Sequence, residues 1–237
     1  MISVCMASYN GEFFIKQQIS SILAQLTAVD ELIISDDGSV DNTLSIIKSF
    51  EDARIKLFHN QGKHGVIPNF ENALSKAKGD YIFLSDQDDV WMPNKVEVCM
   101  KLLQQNTLVV HNANIINGEG INKGCDFFSL RGSKSGFLYN IWKNCYLGCC
   151  MCFHSQILKY VLPFPKHIEM HDRWVGLMSE LHGKVIFEKQ CLIGYRVHVN
   201  NVSNSTGKSV NSLGMKLSIR WWLLFYTLTR QIKMMMQ

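Results

Sequence analysis

Apolar and polar positions alternate in blocks along the first half of the chain. Residues 2–8 (ISVCMAS) form a short apolar run that reads as a buried strand and ends at Asn10-Gly11. From Gly11 to Leu26 the apolar residues Ile15, Ile19, Ile22, Leu23 and Leu26 share one helical face, with Asn10 as N-cap. Further strands are predicted over 31–37 (ELIISDD), 55–60, 81–85 and 107–113. Further helices are predicted from Asp41-Asn42-Thr43 through Phe50, over about 68–77, and from Pro93 to about Gln104. This order predicts an α/β fold with a mostly parallel central sheet and helices on both faces.

Ligands of such sheets sit at the carboxyl ends of strands. Three predicted strand ends are polar or acidic: Ser8-Tyr9-Asn10, Asp36-Asp37, and Asp86-Gln87-Asp88-Asp89. Carboxylates crowded as closely as Asp86, Asp88 and Asp89 repel one another, and a divalent cation relieves that repulsion. An acidic turn facing the helix dipole after Pro93 is the other reading. Neither GxGxxG nor GxxxxGK[ST] occurs, which disfavours a dinucleotide-binding Rossmann unit and a P-loop. Any nucleotide diphosphate would then be held by a metal, Mg²⁺ or Mn²⁺, rather than by a glycine-rich cradle.

Composition narrows the class. The chain has 237 residues, 47% hydrophobic and 19% charged, enough to bury the core of one substantial domain. A net charge of +4 is too mild and too scattered for a nucleic-acid partner. The start carries no charged, apolar leader, and no apolar stretch nears the roughly 20 residues of a membrane span. A cytoplasmic location is expected. Eight cysteines fit it: those crowded into 145–152 lack the two spaced pairs of a zinc site, so reduced, buried thiols are preferred. Sequons at Asn201 and Asn204 carry little meaning there.

The segments SVCMASYNGEFFI, ELIISDDGSVDNT and GDYIFLSDQDDVW stand in this order, followed by NCYLGCCMCF (144–153), His171-Asp172-Arg173-Trp174 and YRVHVNN (195–201). Together they resemble the inverting family 2 glycosyltransferases of the GT-A fold, over residues 2 to about 203. Their motif forms are most similar to bacterial polysaccharide enzymes of the rhamnosyltransferase type. The resemblance implies a GT-A nucleotide-diphospho-sugar transferase domain, taken over 1–212; residues 213–237 differ in character and read as a separate helical segment. It implies transfer of a sugar from a UDP- or dTDP-sugar, dTDP-L-rhamnose among them, to a saccharide acceptor, free or lipid-linked, in surface polysaccharide synthesis.

Residue roles follow from the same resemblance. Ala7, Ser8 and Tyr9 line the nucleotide pocket, helped by Glu12. Asp36 reads the base, while Asp37 steadies the turn. Gly65 and Asn69 pass over the nucleotide, and Asp86 and Gln87 face its ribose side. Asp88 and His198 are metal ligands, with Asp89 in support. Asp172 is the catalytic base, able to serve also as the N-cap of the helix that follows. His171 and Trp174 meet the acceptor, with plain packing the alternative for Trp174. The polar region 117–143 reads as a loop. A metal-dependent nucleotidyltransferase or phosphohydrolase, or a silent nucleotide- or carbohydrate-binding module, are the competing functions.

Residues 213–237 (LGMKLSIRWWLLFYTLTRQIKMMMQ) are basic and aromatic. As an amphipathic helix they suit either the inner face of a membrane or a protein surface, the domain itself or a dimer partner.

Overall fold

The structure, a computed structural model, describes residues 1–198 and 212–236. The two sequons and the last three residues of YRVHVNN lie outside them. In chain order the elements are β1 (Ile2–Ser8), α1 (Ile15–Leu23), β2 (Glu31–Asp36), α2 (Thr43–Lys48), β3 (Ile55–His59), α3 (Val66–Lys76), β4 (Tyr81–Ser85), β5 (Val90–Trp91), α4 (Lys95–Leu103), β6 (Leu108–Ile116), β7 (Asn122–Asp126), α5 (Phe127–Arg131), α6 (Phe137–Trp142), β8 (Met151–His154), α7 (Leu158–Val161), α8 (His171–His182), β9 (Val185–Arg196) and α9 (Leu213–Met235).

One sheet runs β3-β2-β1-β4-β8-β6-β9-β5, with β7 added to β6. Its first four strands are parallel, as the alternation of strands and helices predicts. Register fixes the site: Ser8 lies opposite Asp36, and Met6 opposite Ser85, so the loops after β1, β2 and β4 leave from one edge. The second half is mixed. There β8 runs antiparallel between β4 and β6, while β9 runs parallel to β6 and antiparallel to β5. The two-residue β5 pairs Val90 with Gly194 and Trp91 with Ile193, which brings the 86–89 loop to the end of β9.

Strands β1, β2 and β4 supply fully buried Val4, Met6, Leu32, Ile33, Ile34 and Phe83, and α3 packs on β1 and β2 with Phe70 and Ala73 inside. Each of these side chains except Ala73 contributes about 1.5–3 kcal/mol by leaving water. Helix α1 buries Ile15, Ile19 and Ile22 but begins at Ile15, later than expected. Asn10 does not cap it. Its backbone takes φ 48°, and its Oδ1 accepts instead from the N–H of Val40. Region 117–143, expected as a loop, contains β7, α5 and α6. All eight cysteines are free thiols, six of them buried. No described helix is long and apolar enough to cross a membrane.

Candidate active site

The strand edge opens into a cavity of about 950 Å³. Ala7, Ser8 and Tyr9 line it from β1, Gly65 and Asn69 from the start of α3, and Asp86, Gln87 and Asp88 from the loop after β4. His171 and Asp172 from α8, and His198 beyond β9, line it as well. Eleven of the fourteen expected site residues therefore share one cavity.

Gln87 ties the first and third loops together. Its Oε1 accepts from the Tyr9 N–H and its Nε2 donates to the Tyr9 carbonyl, both at 2.9 Å. Gly11 makes room for this amide, since a Cβ there would stand 2.3 Å from Gln87 Oε1. Tyr9 itself leaves its side chain half-exposed at the cavity.

Three expected residues stand elsewhere. Asp36 is fully buried and off the cavity. It accepts from the hydroxyls of Ser8 and Ser39 and from the N–H groups of Gly38 and Ser39. Asp37 is the one that lines the cavity, and it also accepts from Asn60 and from the Gly65 N–H at 2.7 Å. Asp36 thus holds the turn, and Asp37 is the carboxylate of the pair at the cavity. Glu12 accepts from the backbone and side chain of Asn42 and so secures the start of α2. Trp174 is fully buried, its indole N–H donating to the Val161 carbonyl at 3.0 Å; it packs the core and cannot meet an acceptor.

The acidic loop is clamped from β9. The Arg196 N–H donates to Asp89 Oδ1 at 2.9 Å, and its Nε to the Asp88 carbonyl at 2.7 Å. His198 Nε2 lies 2.9 Å from Asp88 Oδ2. Burial, then the charges of Asp88 and Asp172, push the Asp86 carboxyl up to about 7. Asp89 is fully buried, is likewise pushed well up by burial and by Asp88, and leaves Oδ2 without a partner. Donor atoms of Asp86, Asp89 and Cys149 converge within 4.8 Å. Carboxylates that raise one another's pKa, together with an imidazole, form a donor set that fits Mg²⁺ or Mn²⁺. Lys95 stands behind them, fully buried, donating to the Cys149 carbonyl at 2.8 Å, its Nζ over the Trp91 ring. The sequence reading missed it, because only the fold brings a lysine of α4 beneath that loop.

Asp172 lies in the first turn of α8 but is not its cap; Met170 holds that position. Its Oδ2 accepts from the Gly148 N–H at 3.2 Å and its Oδ1 from the Arg173 N–H. Burial raises its carboxyl to about 6, against the pull of those two donors. His171 stacks on Phe70 at 3.9 Å between ring centroids, and both its ring nitrogens lack partners. Burial lowers it to about 3, which keeps it neutral. Gly148 permits this packing: a Cβ there would stand 2.9 Å from His171 Nε2.

The model of glycosyl transferase family 2 matches residues 3–162. The chain belongs to this family and is a glycosyltransferase. Family membership decides against the hydrolase and silent-module readings. An Escherichia coli relative, the UDP-Glc:alpha-D-GlcNAc-diphosphoundecaprenol beta-1,3-glucosyltransferase WfgD, is 30% identical over 214 residues, covering 89% of this chain and 82% of its own. Staphylococcus aureus TarS 1–349, in complex with UDP-GlcNAc, superposes with a TM-score of 0.71 at 16% identity, over 95% of this chain and 66% of that one. Mycobacterium tuberculosis glucosyl-3-phosphoglycerate synthase, solved with Mn²⁺, UDP and glucosyl-3-phosphoglycerate, superposes at 0.60 with 17% identity, over 97% and 79%. These likenesses show the GT-A fold of the family.

Proposed function

We propose that this glycosyltransferase moves a sugar, with inversion, from a pyrimidine nucleoside diphosphate to a hydroxyl of a lipid-linked saccharide in bacterial surface polysaccharide synthesis. One observation carries the reading: Asp172 lines a single cavity together with Asp86, Asp88 and His198. A UDP-sugar is the preferred donor, given the UDP-glucose named for the Escherichia coli relative. A dTDP-sugar such as dTDP-L-rhamnose is the alternative.

The base of the nucleotide rests beside the Tyr9 ring, with Asp37 and Asn69 within reach. Asn69 Oδ1 is buried without a partner, and its Nδ2 donates to the Ser8 carbonyl at 3.1 Å. Asp88 and His198, with Asp86 beside them, would hold Mg²⁺ or Mn²⁺. When bound, the ion neutralises charge that develops on the departing diphosphate.

On the other side, the Asp172 carboxylate takes the proton of the acceptor hydroxyl. The oxygen so freed attacks the anomeric carbon as the bond to the diphosphate oxygen breaks. A single displacement needs no covalent sugar–enzyme bond and no second nucleophile. A carboxyl held near 6 is mostly ionised at neutral pH yet remains a useful base. The Gly148 and Arg173 N–H groups fix its orientation and leave lone pairs for the hydroxyl. Neutral His171 offers one donor and one acceptor nitrogen to a neighbouring sugar hydroxyl.

Thermal shift with UDP, dTDP and GDP, each with and without Mn²⁺, tests the donor half. Joint stabilisation by Mn²⁺ and a pyrimidine diphosphate is expected; metal-independent binding, or preference for GDP, overturns it. Incubation with nucleotide sugars and a lipid-linked acceptor tests the transfer half, and inorganic phosphate as the main product overturns it.

A further inference from the structure

Helix α9 is docked on the domain along one side only. Leu223 and Thr227 are buried there, and Arg230 donates to the carbonyls of Leu162 and Pro163, both at 2.6 Å. The opposite side is apolar and exposed. Leu217, Trp221, Leu224, Leu228, Ile232 and Met235 are 38–83% exposed. At about 100° per residue they fall within roughly a third of the helix circumference. A stripe of this kind, continued over about five turns, is more than scattered surface leucines.

The stripe does not end at α9. Helix α6 packs beside it, and the Arg220 guanidinium lies 3.8 Å from the Trp142 ring centroid and donates to the Trp142 carbonyl at 3.0 Å. Trp142 and Leu138 are themselves 67% and 77% exposed. Two helices far apart in sequence thus present large apolar side chains on neighbouring ground.

Charge identifies the occupant. No aspartate or glutamate occurs between Asp126 and Glu169, nor anywhere after Glu188. Every ionised side chain in the sequence of α9 and of residues 127–168 is cationic, with Lys134, Lys143 and Lys233 exposed, while Glu180 packs at the start of α6 and accepts from the Gly136 N–H. A second copy of the chain would bring the same positive charge against this face. An anionic bilayer brings the opposite charge and accepts tryptophan and leucine at its interface.

We propose that α6 and α9 form one membrane-docking face for a bilayer rich in anionic phospholipid. Docking through it places α8 close to the lipid. Arg173, next to Asp172, donates through Nε to the Asn140 carbonyl at 3.1 Å and through Nη2 to the Ile141 carbonyl at 2.6 Å. The face lies outside the cavity, so the inference stands apart from the choice of donor.

Co-sedimentation tests it, using the full chain with vesicles of phosphatidylcholine alone or mixed with phosphatidylglycerol. The chain is expected to pellet with the mixed vesicles, and far less with phosphatidylcholine or at high salt. Trp221→Glu combined with Leu228→Glu is expected to lower the partition coefficient at least roughly tenfold, with the melting temperature unchanged. Lys134→Ser combined with Lys143→Ser, which leaves the apolar stripe intact, is expected to weaken the phosphatidylglycerol dependence alone. Failure of the unaltered chain to pellet with mixed vesicles overturns the proposal. So does a dimer in sedimentation velocity that the Trp221/Leu228 variant dissociates, because a second copy then covers the stripe.

Discussion

His198 Nε2 stands 2.9 Å from Asp88 Oδ2, across 110 residues of sequence. The contact joins the loop after β4 to the end of β9, and both residues line the cavity. Replacing Asp88 with alanine is expected to abolish the Mn²⁺-dependent part of UDP binding, and His198→Ala to weaken it at least roughly tenfold. Calorimetric titration of UDP with and without Mn²⁺ reads both. Unchanged Mn²⁺ dependence in Asp88→Ala would remove that residue from the metal site.

The raised pKa of Asp172 gives transfer a pH signature. Below about 6 the carboxyl is protonated and cannot accept the acceptor proton, so kcat/KM should fall about tenfold per pH unit there. In Asp172→Asn the rate should drop about 10²–10⁴-fold and lose this limb, while UDP affinity stays. The same group acts on stability with the opposite sign. Its folded pKa lies above the unfolded value of about 4, so its contribution declines as pH rises from about 4 to 6. A pH–rate profile that is flat from 5 to 7 (roughly the window over which such a base titrates) would exclude Asp172 as the base.

Gly11 is a test of the Gln87 clamp. Alanine there collides with the amide that holds Tyr9 by two hydrogen bonds. Gly11→Ala is expected to raise KM for the donor roughly tenfold with little change in kcat, the equivalent of about 1.4 kcal/mol of binding. A loss in kcat alone would place the effect on the chemistry rather than on the nucleotide side.

The paired aspartates after β2 should separate in two assays. Asp36→Ala strips partners from the buried Ser8 hydroxyl, the half-buried Ser39 hydroxyl and two N–H groups, and should cost about 2–4 kcal/mol in urea unfolding. Asp37→Ala instead frees Asn60 and the Gly65 N–H at the cavity rim, and should act mainly on donor KM. Equal effects of the two on stability would contradict this separation.

These two residues also mark where sequence stops being informative. Adjacent side chains at a strand end point to opposite sides, so which aspartate meets the ligand depends on sheet register, which composition does not reveal. The parallel half was legible because its strands are short apolar runs separated by amphipathic helices. Strand β9 was not: VIFEKQCLIGYR is partly exposed over its first half and shows no clean alternation. Its motif drew attention to His198, yet Arg196, which supports the whole acidic loop, became evident only from its contacts. Trp174 misled for a helical reason. Two residues past Asp172 it is turned about 200° around α8, from the cavity into the core.

Arg196 has one more consequence. It fastens to Gln17, to the acidic loop and to the Gly118 carbonyl, and it sits on the last of the described strands. During synthesis, then, the parallel half of the sheet can form while the acidic loop still lacks the clasp that Arg196 supplies.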